Sequence, residues 1–154
     1  MNTSENIVNL FSALLTPTIG IITAYIAVQQ HRLEKLKSRR EIYERRLSVY
    51  KAAMGFVGQI FRNGQPSMED ITTFSRETAE KFFLFNEDVQ QFLDTIYKNA
   101  IELMALTAEL TDSRLGVGEK RSGLVQKKSD LLGWFTKCPK DIIEKFGAYL
   151  KIGN

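Results

Sequence analysis

At 154 residues, 44% of them hydrophobic and 25% charged, the chain carries about one domain's worth of sequence and too much apolar content to be disordered. Its single cysteine, Cys138, excludes an internal disulfide and a cysteine-based zinc cluster, and its single histidine, His31, excludes a di-metal bundle site built from two Glu-x-x-His motifs. The net charge of +3 is mild, so its distribution along the chain says more than its total.

That distribution is uneven from the start. No Asp, Glu, Lys or Arg lies between Glu5 and Arg32, and fifteen of the twenty-two residues from Ile7 to Val28 are apolar. As a helix this stretch reaches roughly 33 Å, close to the ~30 Å hydrocarbon thickness of a bilayer. A cleavable secretory signal would need a basic stretch at its start, whereas the first six residues carry only Glu5. A buried soluble helix, apolar all round, is the competing reading, because Pro17, Gly20 and the threonines Thr16, Thr18 and Thr23 lower the hydrophobicity. The favoured expectation is a transmembrane signal anchor over 7–28, preceded by a short extracytoplasmic tail, 1–6. The flank from His31 to Ser48 holds Arg32, Lys35, Lys37, Arg39, Arg40, Arg45 and Arg46 against three glutamates, and no Lys or Arg precedes the segment. The positive-inside rule then leaves the N-terminus outside and everything after Val28 cytoplasmic.

Residues 29–62 are expected to form a juxtamembrane basic helix that continues into a bundle. Leu33, Leu36, Tyr43, Leu47, Tyr50, Met54, Val57 and Phe61 recur at steps of three and four, with Arg40 in the remaining slot. Ile42, Val49, Phe56 and Ile60 widen the apolar face to what a bundle helix needs. Within this seam, Leu36, Tyr43, Leu47, Tyr50 and Met54 are candidates for self-association or for the internal core. The seven basic residues are candidates for contact with the membrane surface, each worth about 1 kcal/mol against an anionic leaflet.

The remainder, 63–154, completes the bundle. Asn63-Gly64-Gln65-Pro66 predicts a turn, and Ser67 with Glu69 and Asp70 predicts a helix start near Met68. That second helix should reach about Leu84 and bury Ile71, Phe74, Thr78, Phe82 and Phe85. Phe82, Phe83 and Phe85 are too close together all to face inward, so one of them is left for an interface. A third helix follows from Glu87 to Leu110, with Val89, Phe92, Leu93, Ile96, Tyr97, Ala100, Leu103, Met104 and Leu110 on its stripe. Asp112 to Gly118 reads as a loop. A fourth helix is expected over 119–137, with Leu124, Leu131, Leu132, Trp134 and Phe135 inward, and Pro139 would open a short final helix carrying Ile142, Ile143, Phe146, Tyr149 and Leu150. The expected fold class is all-α: an N-terminal transmembrane helix followed by an antiparallel bundle of about four helices.

Several motifs invite sharper readings that the residues do not sustain. The basic run before a heptad seam superficially resembles a basic-zipper DNA reader, yet an uncharged twenty-residue segment precedes it, so no nucleic acid partner is expected. Gly116-Val117-Gly118-Glu119-Lys120-Arg121-Ser122 lacks the spacing of a phosphate loop and no strand comes before it. Glu41 and Glu44 are better placed as i,i+4 partners of Arg45 and Arg40 than as metal ligands. Cys138 has Lys137 and Lys140 beside it but no base for nucleophilic chemistry.

The segments Arg39-Arg40-Glu41-Ile42-Tyr43-Glu44 and Phe83-Leu84-Phe85-Asn86-Glu87-Asp88 resemble those of small uncharacterised bacterial membrane proteins with one N-terminal transmembrane helix and a helical cytosolic domain. The resemblance implies a bacterial inner-membrane setting and carries no catalytic residues. The expectation is therefore a non-enzymatic, membrane-anchored helical scaffold or interaction module at the cytoplasmic face, without cofactor or small-molecule substrate. Its partners would be membrane lipid and either further copies of itself or an unidentified cytosolic protein. The alternative is an oligomeric, pore-forming effector in which Thr16, Thr18, Gly20 and Thr23 meet between copies.

Overall fold

The computed structural model describes the backbone of residues 3–112 and 118–151 and the side chains of 19–112 and 118–151. Among the described residues the chain is entirely helical: α1 Thr3–Asn63, α2 Met68–Glu77, α3 Lys81–Leu84, α4 Glu87–Thr111 and α5 Glu119–Leu150. The chain divides into two compact units, Met1–Glu41 and Ile42–Asn154. Asp112 belongs to the described residues, but the rest of the expected loop, 113–117, lies outside them.

Unit 1 is the first part of α1 alone. Its described side chains are exposed from Ile19 to Glu41. Among the described residues no helix is long and apolar enough to cross a membrane. Residues 7–18, which carry the first half of the expected transmembrane anchor, lie outside the described side chains, so the anchor gains no support from the described ones.

Unit 2 is the helical bundle. The end of α1 turns at Gly64, whose φ of 69° is the left-handed conformation that closes a helix cheaply only at glycine. The Gly64 N–H donates to Ile60 O at 2.8 Å. α2 opens on a capping box: the Ser67 hydroxyl accepts from the Asp70 N–H, and the Asp70 carboxylate accepts from the Ser67 N–H. The Ser67 hydroxyl also donates to the Asp70 carboxylate at 2.7 Å, and this bond first, then the one from the Ser67 N–H, hold the Asp70 carboxyl below its ordinary value.

The expected second helix, Met68 to Leu84, is broken in two. At Thr78 the hydroxyl and the backbone N–H both donate to Phe74 O, α2 ends, and a turn leads into the single turn of α3. The break resets the helical phase. Lys81, Leu84 and Phe85 turn inward, while Phe82, expected in the core, is 60% exposed and Phe83 is 91% exposed. Phe85 alone of the three phenylalanines packs inside, against Phe146 at 4.9 Å and Tyr149 at 5.1 Å between ring centroids.

α4 begins at the Asn86 cap and buries Val89, Leu93, Ile96, Ala100, Leu103 and Leu106. α5 runs antiparallel to it, since Lys120 pairs with Glu109 at one end and Lys145 with Asp88 at the other. The expected boundary at Pro139 does not occur, and α5 passes through the proline without ending. Phe135, Cys138, Ile142 and Phe146, spaced three and four apart across Pro139, are all fully buried. Only a continuous helix keeps that stripe in register, and burial of four side chains at about 1.5–3 kcal/mol for each large one outweighs the ~3 kcal/mol cost of an interior proline. The core joins this stripe to Val49, Ala53, Phe56, Val57 and Ile60 of α1, Ile71 and Phe74 of α2 and the α4 stripe. Phe56 stacks on Phe74 at 4.5 Å, which locks α1 to α2.

Candidate functional site

The seven expected membrane-contact residues separate into three environments. Arg32, Lys35, Lys37, Arg39 and Arg40 are exposed on unit 1. Arg32, Lys35 and Arg39 share one helical face with Leu36, spaced three, four and seven apart, and together line a shallow cleft of about 280 Å³. Three cations beside an exposed leucine are a combination that suits a surface of anionic groups above an apolar layer. Arg45 and Arg46 belong to unit 2 and are held there: Arg45 lies 3.5 Å from Glu80. The Arg46 guanidinium donates through Nε to Leu84 O at 3.1 Å and lies over the Tyr149 ring at 5.0 Å. One arginine thus ties α1, α3 and α5 together.

The candidate self-association residues also divide. Leu36 is 62% exposed. Tyr43 and Leu47 are half-buried, whereas Tyr50 and Met54 pack against the bundle core, Tyr50 edge-on to Phe146 at 5.8 Å. The buried line on α1 is Val49, Ala53, Phe56, Val57 and Ile60: Val57 belongs to the seam expected from the spacing, while Val49, Ala53, Phe56 and Ile60 each precede a seam position by one.

Sequence reasoning missed a polar groove of about 510 Å³ between α1 and α2. It is lined by Ser48, Lys51, Ala52, Gly55, Phe56, Gln59 and Arg62 of α1 and by Asp70, Thr73, Phe74 and Glu77 of α2. The signal was present in the spacing, since Lys51 and Arg62 lie three helical turns apart on the same side as the small residues. The groove contains carboxylates, hydroxyls and cations but neither histidine nor cysteine. Among the described residues no group of three His, Cys, Asp or Glu could hold a metal ion. The Cys138 thiol, fully buried, donates to Trp134 O at 3.6 Å, and burial, with a smaller contribution from Asp141, pushes its pKa up to about 12. A thiol in that state is a packing group, not a nucleophile.

A second feature is the buried Lys81, whose ammonium pairs with Asp94 and lies 5.2 Å from the Phe82 ring centre. This pair fixes α3 on α4 and leaves Phe82 and Phe83 outside. No family model, curated protein or solved structure matches this chain.

Proposed function

We propose that the protein is a non-enzymatic helical scaffold, tethered to the cytoplasmic face of a bacterial inner membrane by its N-terminal segment. The observation that carries this reading is the absence of formal charge between Glu5 and Arg32, joined to the exposure of Ile19, Ile21, Ile22, Tyr25, Ile26 and Val28 on unit 1. An isolated helix apolar on several sides is costly in water and ordinary in lipid. Two of its described polar side chains bond within the helix: Thr23 Oγ1 donates to Ile19 O at 2.8 Å and Gln29 Nε2 to Tyr25 Oη at 3.0 Å. The basic collar that follows, Arg32, Lys35 and Arg39 around Leu36, supplies the cytoplasmic anchor.

The bundle then serves as the presented module. It offers two surfaces of different chemistry, the groove between Lys51, Arg62 and Glu77 and the exposed pair Phe82 and Phe83. Alkaline-carbonate extraction of membranes containing a C-terminally tagged chain, with protease access to the tag in spheroplasts, tests the proposal. Pelleted protein with a protected tag is the expected result; release into the supernatant overturns it.

A second reading, an oligomeric membrane-perturbing effector, is favoured by one observation. Gly20, Thr23, Ala24 and Ala27 gather small side chains on one side of the helix, and open space surrounds Gly20. Dye leakage or growth arrest on expression would select this reading, and full viability at high membrane abundance would reject it.

A further inference from the structure

Position along α1 carries a second pattern besides apolar content. From Leu15 to Met54 the residues Leu15, Ile19, Ile22, Ile26, Gln29 and Leu33 continue through Leu36, Arg40, Tyr43, Leu47 and Tyr50 in strictly alternating steps of four and three. Ten of those twelve positions are apolar. A helix that only had to dissolve in lipid would need no such 3.5-residue repeat, and one that only packed in the bundle would not extend it thirty residues upstream of the core. On unit 1 the seam is open: Ile19, Ile22, Ile26, Leu33 and Leu36 are 47–62% exposed.

We infer that α1 pairs in parallel with α1 of a second copy along this seam, centred on Gln29, Leu33 and Leu36. A 3.5-residue seam is self-complementary, because the surface that receives its knobs is another helix with the same repeat. The parallel direction rests on the membrane reading above, since two copies inserted with the same topology point the same way; the pairing itself does not need lipid. Leu33 and Leu36 lie beyond the apolar segment, where water drives their burial, whereas isoleucines in a bilayer gain only packing. Gln29 is the one amide in the seam. Its Nε2 is bonded to Tyr25 Oη, which leaves its carbonyl and second N–H to meet Gln29 of the second copy. A single polar residue on a seam fixes register and direction at some cost in stability.

Disulfide crosslinking of the full chain in native membranes tests the inference, one cysteine at a time from position 29 to 38. Buried Cys138 stays in place as an internal control that does not crosslink. Yield should peak with Gln29→Cys, Leu33→Cys and Leu36→Cys and fall to background with His31→Cys and Ser38→Cys, on the opposite side. Leu33→Asp should abolish the Gln29→Cys crosslink with the thermal unfolding of the bundle unchanged. Uniform or absent crosslinking across the scan overturns the pairing. Carbonate extraction of the same samples separates the two proposals. Pelleted protein without the periodicity leaves the anchor standing and removes the pairing, and periodic crosslinks in released protein do the reverse.

Discussion

Arg46 and Arg39 belong to the same basic run, yet their surroundings assign them opposite tasks, and exchanging each for glutamine separates the two. Arg46 donates to Leu84 O at 3.1 Å and covers the Tyr149 ring at 5.0 Å. A hydrogen bond from a charged donor is worth about 1.5–3 kcal/mol, and a partly exposed cation–π contact adds about 0.5–1 kcal/mol. Arg46→Gln should therefore cost roughly 2–3 kcal/mol, because the shorter amide reaches neither partner well. For a unit of this size that lowers Tm by roughly 10 °C, read by near-ultraviolet circular dichroism of the detergent-solubilised full chain. Arg39 is exposed beside Leu36 on unit 1. Arg39→Gln should leave Tm within about 1–2 °C, since surface substitutions of this kind stay within about 0.5 kcal/mol. It should instead weaken retention of anionic phospholipid through detergent extraction by about 1 kcal/mol, roughly fivefold. A stable Arg46→Gln protein that loses lipid, or an Arg39→Gln protein that loses stability, would refute the division.

Cys138 should resist iodoacetamide in the native protein at pH 9 and react at once in denaturant, because its folded pKa of about 12 keeps it protonated where an unfolded thiol, near 9.0, ionises. The sign for stability follows: the contribution is complete below about pH 9 and is lost as pH climbs toward 12, at about 1.4 kcal/mol per pH unit, measurable as a falling urea midpoint. Asp70 works in the other direction, since a lowered carboxyl stabilises the fold above its unfolded pKa of 3.8 and loses that contribution as pH falls through the folded value. Ser67→Ala removes its partner and should cost about 1 kcal/mol at pH 7, with the difference from wild type shrinking in acid. Asp94→Ala strands the buried Lys81 ammonium and should destabilise the bundle by about 3 kcal/mol, whereas Lys81→Met should be close to neutral; equal losses in chemical denaturation would contradict the burial of the pair. Pro139→Ala restores a backbone donor in mid-helix and should raise stability by as much as ~3 kcal/mol, and a loss of stability would mean that the proline shapes α5 rather than merely being tolerated.

Helix type and position were legible because the signals are local. Ser67, Asn86 and Gly64 act within a few residues of themselves, and each sits at the boundary where its chemistry placed it. The misplaced boundaries are those decided by distant side chains. Thr78 fits the apolar stripe of one long helix as well as it fits a helix end, and what ends α2 there is the gain from turning Lys81, Leu84 and Phe85 toward α4 and α5. Pro139 reads as a helix start in isolation, and only the burial of Phe135 and Ile142 on either side of it makes continuation the lower-energy choice.

The candidate surfaces follow the same logic. Leu36 and Tyr50 hold equivalent places in one repeat, so spacing could not tell them apart. Tyr50 meets Phe146, which α5 delivers from nearly a hundred residues away, while Leu36 remains exposed on unit 1. Arg46 differs from Arg39 in the same way: α3 and α5 bring it a carbonyl and a ring. A repeat in the sequence specifies what a helix face is able to bind, and the rest of the chain determines how much of that face is already occupied. On α1 the occupied part begins with the half-buried Tyr43, and the seam before it retains the capacity to bind something outside the fold.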